Sequence, residues 1–417
     1  MVSKLDMRTV SIDKLNPAPY NPRKDLKPGD PEYEKIKRSM HDWGYVDPII
    51  WNEATGNIVG GHQRYKILKA EGVTEVDVAV VHIENPDDEK AMNVALNKAS
   101  GEWEPVALAD LLNELQLHGY DMEKTAFDVA EVDDLFSKVH DKDVKDDDCD
   151  LDAEGINVYV EPGDVWTLGR HRMMCGDSTD PTAVDTLMNG VNANLVVTDP
   201  PYNVAYESND GKKIQNDSMA DEQFFNFLLA AFFNMASHMA KGGSAYVFHA
   251  DTEGLNFRRA FKEAGFHLSG VCIWAKNSLV MGRSPYQWQH EPVLFGWLPN
   301  GNHKWYSDRK QSTIWNFDRP SKSAEHPTMK PIPLLAYPIK NSSAPNGVVM
   351  DLFGGSGSTL IACEETDRIC MTMELDPRYA TVIVERFRRA YPDQKITVER
   401  GGMTMSYDEA VPQDWRS

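Results

Sequence analysis

The sequence predicts an α/β chain in which an open, largely parallel sheet carries helices on both faces, with a smaller α+β unit ahead of it. Three observations carry this expectation. From residue 171 onward, seven apolar strand-like runs (171–175, 194–198, 244–249, 267–274, 291–297, 347–352 and 369–374) are mostly separated by helical segments at 179–189, 221–240, 253–265, 357–366 and 378–391. Strands alternating with helices argue for crossover connections and a parallel sheet. One run, Val348 to Leu352, ends in a glycine-rich turn that opens a helix. Finally, residues 141–154 hold eight Asp or Glu against two Lys, too few apolar side chains to pack, and read as a linker over 137–158.

Ahead of that break, residues 1–95 form one unit. Val10–Leu15 reads as a short strand entering the proline-rich loop Asn16–Arg23, and residues 31–43 show helical periodicity (Tyr33, Ile36, Met40, Trp43) stopped by Gly44. Pro48–Trp51 and Asn57–Val59 flank Glu53–Gly56 as a hairpin. Gly60–Arg64 opens a helix at 65–71, and a strand at 76–83 closes the unit. Residues 96–136 extend it as helix, with an apolar stripe at Leu108, Leu111, Leu112 and Leu115. The sheet unit then occupies 159–400, and 401–417 is a tail.

A chain of 417 residues with 41% hydrophobic and 26% charged side chains is ordinary for a globular protein of two or three domains. No run approaches the roughly 18–20 apolar residues of a membrane helix, and the N-terminus lacks a signal-peptide pattern. Cys149, Cys175, Cys272, Cys363 and Cys370 show no CxxC or Cys/His pairing, so they read as reduced, intracellular and not metal-binding. The net charge of −21 argues against DNA as a partner, because non-specific DNA affinity comes mainly from Lys and Arg on phosphates. The acid is unevenly spread, however. Residues 300–330 hold six basic side chains (Lys304, Arg309, Lys310, Arg319, Lys322, Lys330) against three acids. Local field decides where a polyanion docks.

Chemistry concentrates in two places. The apolar run Asn194–Thr198 breaks into Asp199-Pro200-Pro201-Tyr202. Two prolines cannot continue a strand ladder, so this tetrapeptide is a stiff loop at a strand end. It presents a carboxylate, a free carbonyl and an aromatic face, which suit a planar ring bearing an exocyclic amine. The second place is Asp351-Leu352-Phe353-Gly354-Gly355-Ser356-Gly357, a strand running through a glycine turn into a helix. About 20 residues on, the next strand ends in Glu374-Leu375-Asp376, where an acid is placed to bind ribose hydroxyls. No GxxxxGK[ST] is present, so cradling of an ATP phosphate chain is not implied.

With Asp199–Tyr202 as a DPPY motif, residues 160–395 resemble the β group of DNA amino-methyltransferases, in which the catalytic loop precedes the cofactor loop. The resemblance implies a class I methyltransferase fold: a Rossmann-like, seven-stranded mixed sheet. It implies S-adenosylmethionine as cofactor, double-stranded DNA as substrate and base flipping, with no metal because the sulfonium already activates the methyl. Asp199, Pro200, Pro201 and Tyr202 would be catalytic. Asp177 and Ser178 would contact the cofactor adenine; Asp351, Phe353, Gly354, Gly355, Ser356, Gly357, Glu374 and Asp376 would line its site. His326-Pro-Thr328-Met-Lys330 resembles the segment gripping the methionine carboxylate. Arg283, Lys304, Trp305, Arg309, Lys310, Trp315 and Arg319 would recognise DNA, with 296–325 as the target-recognition region. Asp-Pro-Pro-Tyr favours adenine N6 over cytosine N4. A candidate homodimer, the restriction-modification class and a cytoplasmic, nucleoid-associated prokaryotic or phage setting follow by the same analogy.

The N-terminal unit resembles a ParB-like (ParB/sulfiredoxin-type) domain through Asn21-Pro-Arg23, Gly44-Tyr-Val-Asp-Pro-Ile-Ile50 and Gly60-Gly61-His62-Gln63-Arg64. Relatives bind nucleotide phosphate on the last segment, which makes Arg23, Gly60, Gly61, His62 and Arg64 the candidates here. His62-Gln63 departs from the Glu-Arg usual in partition proteins, so CTP hydrolysis does not carry over. A different class of reading, a ParB-like nucleotide switch or nuclease with a degenerate second domain, is opposed by the intact motifs from 177 to 376.

Overall fold

The computed structural model describes residues 5–98, 103–117, 120–125, 127, 131–132, 135, 144–147, 149, 151, 153, 155–204, 218–280, 285–307, 310–318 and 329–415. The chain divides into two compact units, Met1–Val139 and His140–Ser417.

In the first unit, strands β1 (Asp6–Ser11), β2 (Asn16–Pro17), β3 (Ile49–Asn52), β4 (Asn57–Gly60) and β5 (Glu75–Val81) form one sheet in the order β1-β5-β3-β4-β2. The expected hairpin is the antiparallel β3–β4 pair, turned at Gly56 with φ 78°. The first strand begins earlier than the sequence implied and stops at Ser11, because Ile12–Lys14 turns as a 3-10 helix that drives Ile12 and Leu15 into the core. The predicted helix at 31–43 is present as Pro31–Trp43, ended by Gly44. Helix His62–Ala70 starts three residues sooner than expected, directly off the glycine pair. Leu108, Leu111, Leu112 and Leu115 are all buried on helix Pro105–Leu117.

The second unit is built on an 11-stranded sheet. Its strands are β6 (Val165–Leu168), β7 (His171–Cys175), β8 (Ala193–Thr198), β9 (Met239–Phe248), β10 (His267–Val280), β11 (Trp288–Trp297), β12 (Ile314–Asn316), β13 (Val348–Asp351), β14 (Ile369–Glu374), β15 (Ile396–Arg400) and β16 (Met403–Ser406). The order is β12-β10-β11-β9-β8-β13-β14-β7-β6-β15-β16. All seven expected strands are present; four short ones (β6, β12, β15, β16) lengthen the sheet at its two flanks. The centre, β9-β8-β13-β14-β7, is parallel, and antiparallel strands sit on either side. The sheet is therefore mixed. The stretch from 401, expected as a tail, supplies β16 and the buried Tyr407.

Strand pleating sends alternate side chains to two cores. Leu195 and Val197 of β8 pack with helices Ile332–Ser342, Ser358–Glu365 and Pro377–Ala390, whereas Val196 packs with helices Pro181–Met188, Asp221–Ser237 and Gly254–Glu263. Fully buried Phe224, Phe232, Phe257 and Phe261 fill the second core, each contributing about 1.5–3 kcal/mol of burial. The helix Ile332–Ser342 was not expected from sequence, since Pro333 and Pro338 obscure its pattern; Pro333 sits in the first turn, where no backbone donor is lost.

The acidic stretch expected as a solvated linker is in part packed. Val144, Leu151 and Ala153 are buried against the second unit, and Leu151 and Ala153 lie on Val382. Asp146 Oδ1 accepts from the Ile332 backbone N–H at 2.6 Å, capping that helix, and Asp147 holds the buried Arg386. Acids that find helix donors and a buried arginine need few apolar neighbours to be fixed.

Candidate active site

The chain leaves β8 toward β9 on one side of the sheet, and leaves β13 toward β14 on the other. The neighbouring parallel strands β8 and β13 thus define the switch point of the sheet, where a crevice opens at the strand carboxyl ends. Both loops singled out from sequence hang there. Asp199–Tyr202 follows β8, and Gly354–Gly357 follows β13. The two strand ends are tied together: Thr198 Oγ1 donates to Asp351 Oδ1 at 2.7 Å.

The glycine turn is held by its surroundings. Gly354 N–H donates to Met373 O at 2.7 Å, and a Cβ on Gly354 would stand 2.6 Å from Thr372 Oγ1 and 3.1 Å from Ile383 Cδ1. Gly357 caps helix Ser358–Glu365 with φ 86°, pressed against Ile383. Glu374 accepts from Gly355 N–H at 2.7 Å and from Asp376 N–H at 2.9 Å. Beneath the turn, Arg386 donates to Ser356 O (2.9 Å) and Ser358 Oγ (3.1 Å), and both its remaining nitrogens meet Asp147 at 2.7 Å.

Two of these acids lack any cation among their described hydrogen-bond partners. Burial pushes Asp351 up to about 7 against the hydroxyls of Thr359 and Thr198, and pushes Glu374 up to about 7 against the two backbone donors. A ligand bearing positive charge would offset that penalty, whereas a polyphosphate would worsen it. Phe353 adds an apolar wall, edge-on to Phe227 at 5.8 Å.

At the end of β8, Tyr202 OH donates to Asp199 Oδ1, and Lys330 Nζ donates to Asp199 Oδ2 at 2.5 Å. Lys330 also reaches Tyr202 OH (3.1 Å) and Glu291 Oε2 (3.2 Å), and Lys276 donates to Glu291 Oε1 at 2.5 Å. Burial raises Asp199 although Lys330 opposes it, and burial together with Asp199 lifts the Tyr202 phenol. Burial works against Glu291 too, yet the two lysines hold its carboxyl down to about 2. Glu291 and Lys276 were not singled out from sequence. Their signal was present: each is the lone Lys, Arg, Asp or Glu within an apolar strand, β10 and β11, which pair antiparallel with Trp274 opposite Glu291.

Other expected residues turn out to have structural partners. Lys330, expected free for a cofactor carboxylate, has its ammonium on Asp199, Tyr202 and Glu291. Asp376 caps helix Pro377–Ala390 and pairs with Arg378, and Asp177 forms a turn with Thr179 N–H and Oγ1 at 2.8 Å. Ser178 is buried, its carbonyl accepting from Asn234. Trp315, expected on the DNA face, is a correction: β12 pairs with β10, so its ring is buried beside Tyr246 and Tyr337 while Nε1 donates to Ser312 O. Lys304, Trp305 and Lys310 lie between β11 and β12. Arg283, Arg309, Arg319, His326 and Thr328 lie outside the described residues.

In the first unit, Gly60–Arg64 does open a helix, but its side chains are engaged. His62 is buried, its Nε2 accepting from Ala18 N–H at 3.2 Å, and burial pushes it down to about 4. Arg64 pairs with Asp47, and Arg23 donates to Asn97 O at 2.9 Å while lying 5.2 Å from the Trp103 ring centroid.

A doubly wound sheet with an acidic-aromatic loop and a glycine loop at one switch point is a Rossmann-like architecture with a ligand crevice between them. The comparisons with known proteins give the family. Residues 193–385 match the family of DNA methylases of the N6/N4 type, residues 2–100 the ParB N-terminal domain, and residues 106–158 the ParB-methyltransferase HTH domain. Residues 193–385 thus form a DNA methylase domain of the N6/N4 type, and residues 2–100 a ParB N-terminal domain. It is 26% identical over 237 residues to the putative methylase YubD of Escherichia coli, covering 53% of this chain and 88% of that protein. It is 23% identical over 227 residues to the DNA adenine methyltransferase YhdJ of the same organism, covering 46% and 75%. Among solved structures, the M1.HpyAVI–SAM complex aligns with a TM-score of 0.41 and 20% identity over 51% of this chain and 98% of that one. Among the described residues, no helix is long and apolar enough to cross a membrane.

Proposed function

We propose that this chain transfers a methyl group from S-adenosylmethionine to the exocyclic N6 of adenine in double-stranded DNA, on a base flipped out of the duplex. The observation that carries this is the placement of Asp199 and the Gly354–Gly357 turn at the ends of adjacent parallel strands, bridged by Thr198 and Asp351. Asp351, Phe353, the glycine turn and Glu374 would hold the cofactor; the uncompensated acids suit its ammonium and sulfonium charges. When bound, S-adenosylmethionine supplies a methyl group already activated by the sulfonium.

The chain's own residues must then make a poor nucleophile competent. The lone pair of an aromatic amine is delocalised into its ring. A carboxylate offers about four acceptor sites, and Tyr202 and Lys330 use two on Asp199, which leaves sites for the amine N–H. With the Pro200 carbonyl as second acceptor, Asp199 would localise the lone pair and fix its direction, while the Tyr202 ring stacks on the base. Rate comes from positioning and electrostatics, not from a strong base. Lys304, Trp305 and Lys310 are the proposed DNA contacts, giving a modest, salt-sensitive affinity. The helix start at Gly60–Arg64 is proposed as an accessory nucleotide-phosphate site.

Adenine is favoured over cytosine N4 by the Asp-Pro-Pro-Tyr loop and by the likeness to YhdJ. The test is tritiated methyl transfer to DNA followed by base analysis. Asp199→Ala should lower turnover by at least about 1,000-fold with cofactor binding retained. Near-normal turnover of that variant sinks the assignment, and label in N4-methylcytosine moves it to the other base.

A further inference from the structure

Asp199 is one member of a closed set of charges at this edge. Lys330 comes from the segment before helix Ile332–Ser342, Glu291 from β11 and Lys276 from β10. Lys276 and Lys330 are each only 8% exposed. Two carboxylates and two ammonium groups sum to zero. An ammonium has three donors, and those of Lys330 meet Asp199 Oδ2, Tyr202 OH and Glu291 Oε2. Glu291 is shared in turn, with Oε1 taken by Lys276, whose Nζ also lies 4.8 Å from the Trp274 ring centroid.

We infer that Glu291, anchored by Lys276, is a positioning residue for methyl transfer: it shares the Lys330 ammonium with Asp199 and Tyr202, so that the Asp199 carboxylate stays oriented with an acceptor site open to the amine. This rests on the proposed role of Asp199. The geometry gives the reason. Without a second carboxylate, Lys330 would rest wholly on Asp199 and compete with the amine for its oxygens. Without Lys276, Glu291 would draw Lys330 toward itself and leave Asp199 underneutralised. A buried ion set works only when each member is matched, and removing one leaves its partner unpaired.

The two changes therefore displace the ionisation of Asp199 in opposite directions. Glu291→Gln removes a neighbouring negative charge and gives Asp199 a larger share of Lys330, so the acid limb of the rate profile moves to lower pH. Lys276→Gln weakens the cationic support, so the limb moves to higher pH. The remaining groups facing the set are Tyr202 on the same loop, Asp351 on β13, His249 at the end of β9 and Arg258 on helix Gly254–Glu263 behind His249. They are unchanged in either variant.

The experiment measures kcat and KM of the full-length protein on DNA between pH 5 and 9, alongside cofactor affinity by calorimetry. Glu291→Gln should lose up to about 100-fold in kcat, with cofactor KM nearly constant. Its acid limb should fall by about one pH unit, and that of Lys276→Gln should rise by less. The double variant, neutral again, should return toward the wild-type limb. Should Glu291→Gln fail to fold, Glu291→Asp keeps the charge and must keep the wild-type limb. Limbs that coincide, or that move the same way, overturn the inference while leaving the methyltransferase reading intact. A wild-type chain that methylates no DNA, or an Asp199→Ala variant that turns over normally, overturns both.

Discussion

Two helix-capping glycines in this chain share one backbone conformation and differ in their surroundings. Gly61 (φ 89°, ψ 22°) directly follows β4 and caps helix His62–Ala70; Gly357 (φ 86°, ψ 16°) comes six residues after the end of β13 and caps helix Ser358–Glu365. Each accepts the first helical hydrogen bond, from Tyr65 N–H and Ile361 N–H. Around Gly61 stand Arg23, Arg64 and a neutral His62. Around Gly357 stand Asp351 and Glu374, neither with a cation among its described partners, and Arg386, whose charge is met by Asp147. The backbone device is the same, and the charge around it selects what it can receive. A left-handed glycine before a helix says only that a ligand can approach the backbone closely; neighbouring side chains decide whether that ligand is an anion or a cation.

Removing charge at the acidic turn should have the largest effect. Asp351→Asn keeps the shape and the Thr198 contact but loses the charge, and should weaken S-adenosylmethionine by roughly 10–150-fold, about 1.5–3 kcal/mol for a charged hydrogen bond. Calorimetry on the free cofactor reads this directly, and unaltered affinity would leave the two turns chemically indistinguishable. Next comes the conformation. Gly357→Ala and Gly61→Ala each force an alanine into the left-handed region, costing about 1–3 kcal/mol. Thermal melts should show both losses, while only Gly357→Ala should also impair cofactor binding. Equal effects on cofactor from both would break the comparison.

The smallest expected effect, and the sharpest discriminator, is pH. Asp351 and Glu374 are raised to about 7, so their burial disfavours the ionised form. For such groups the free protein loses stability as pH rises from the ordinary carboxylate range near 4 through 7. A cationic ligand favours the ionised forms, so cofactor affinity should increase between pH 5.5 and 8, with proton release on binding below 7. His62, pushed down to about 4, stays neutral over that window, so nothing at the Gly61 turn should titrate there. Flat cofactor affinity across the window would remove the assigned role of the two acids.

Much of this was legible in the sequence for a physical reason. Prolines at 200 and 201 and glycines at 354, 355 and 357 are backbone statements, and backbone statements survive folding. Seven of the eleven strands of the larger sheet were visible because long apolar runs must be buried; the four short flanking strands were not. Side-chain pairing was less legible. Lys330 reads as a free cation in the sequence, but its partners stand 39 and 131 positions away, at Glu291 and Asp199. Trp315 reads as a stacking face beside basic residues, and the pairing of β12 with β10 buries it. Asp177 and Asp376 carry the right chemistry for a ligand, yet each also sits where a turn or helix needs a cap, and the local partner is always nearest.

The acidic run has a practical corollary. Asp146 caps the helix that follows Lys330, and Asp147 fixes Arg386 under the glycine turn. A fragment of the catalytic unit cut at residue 155 would carry an orphaned, buried guanidinium beneath its own cofactor loop. Anyone separating the two units should cut upstream of Val144 and expect a well-behaved protein there, and an unstable one a dozen residues later.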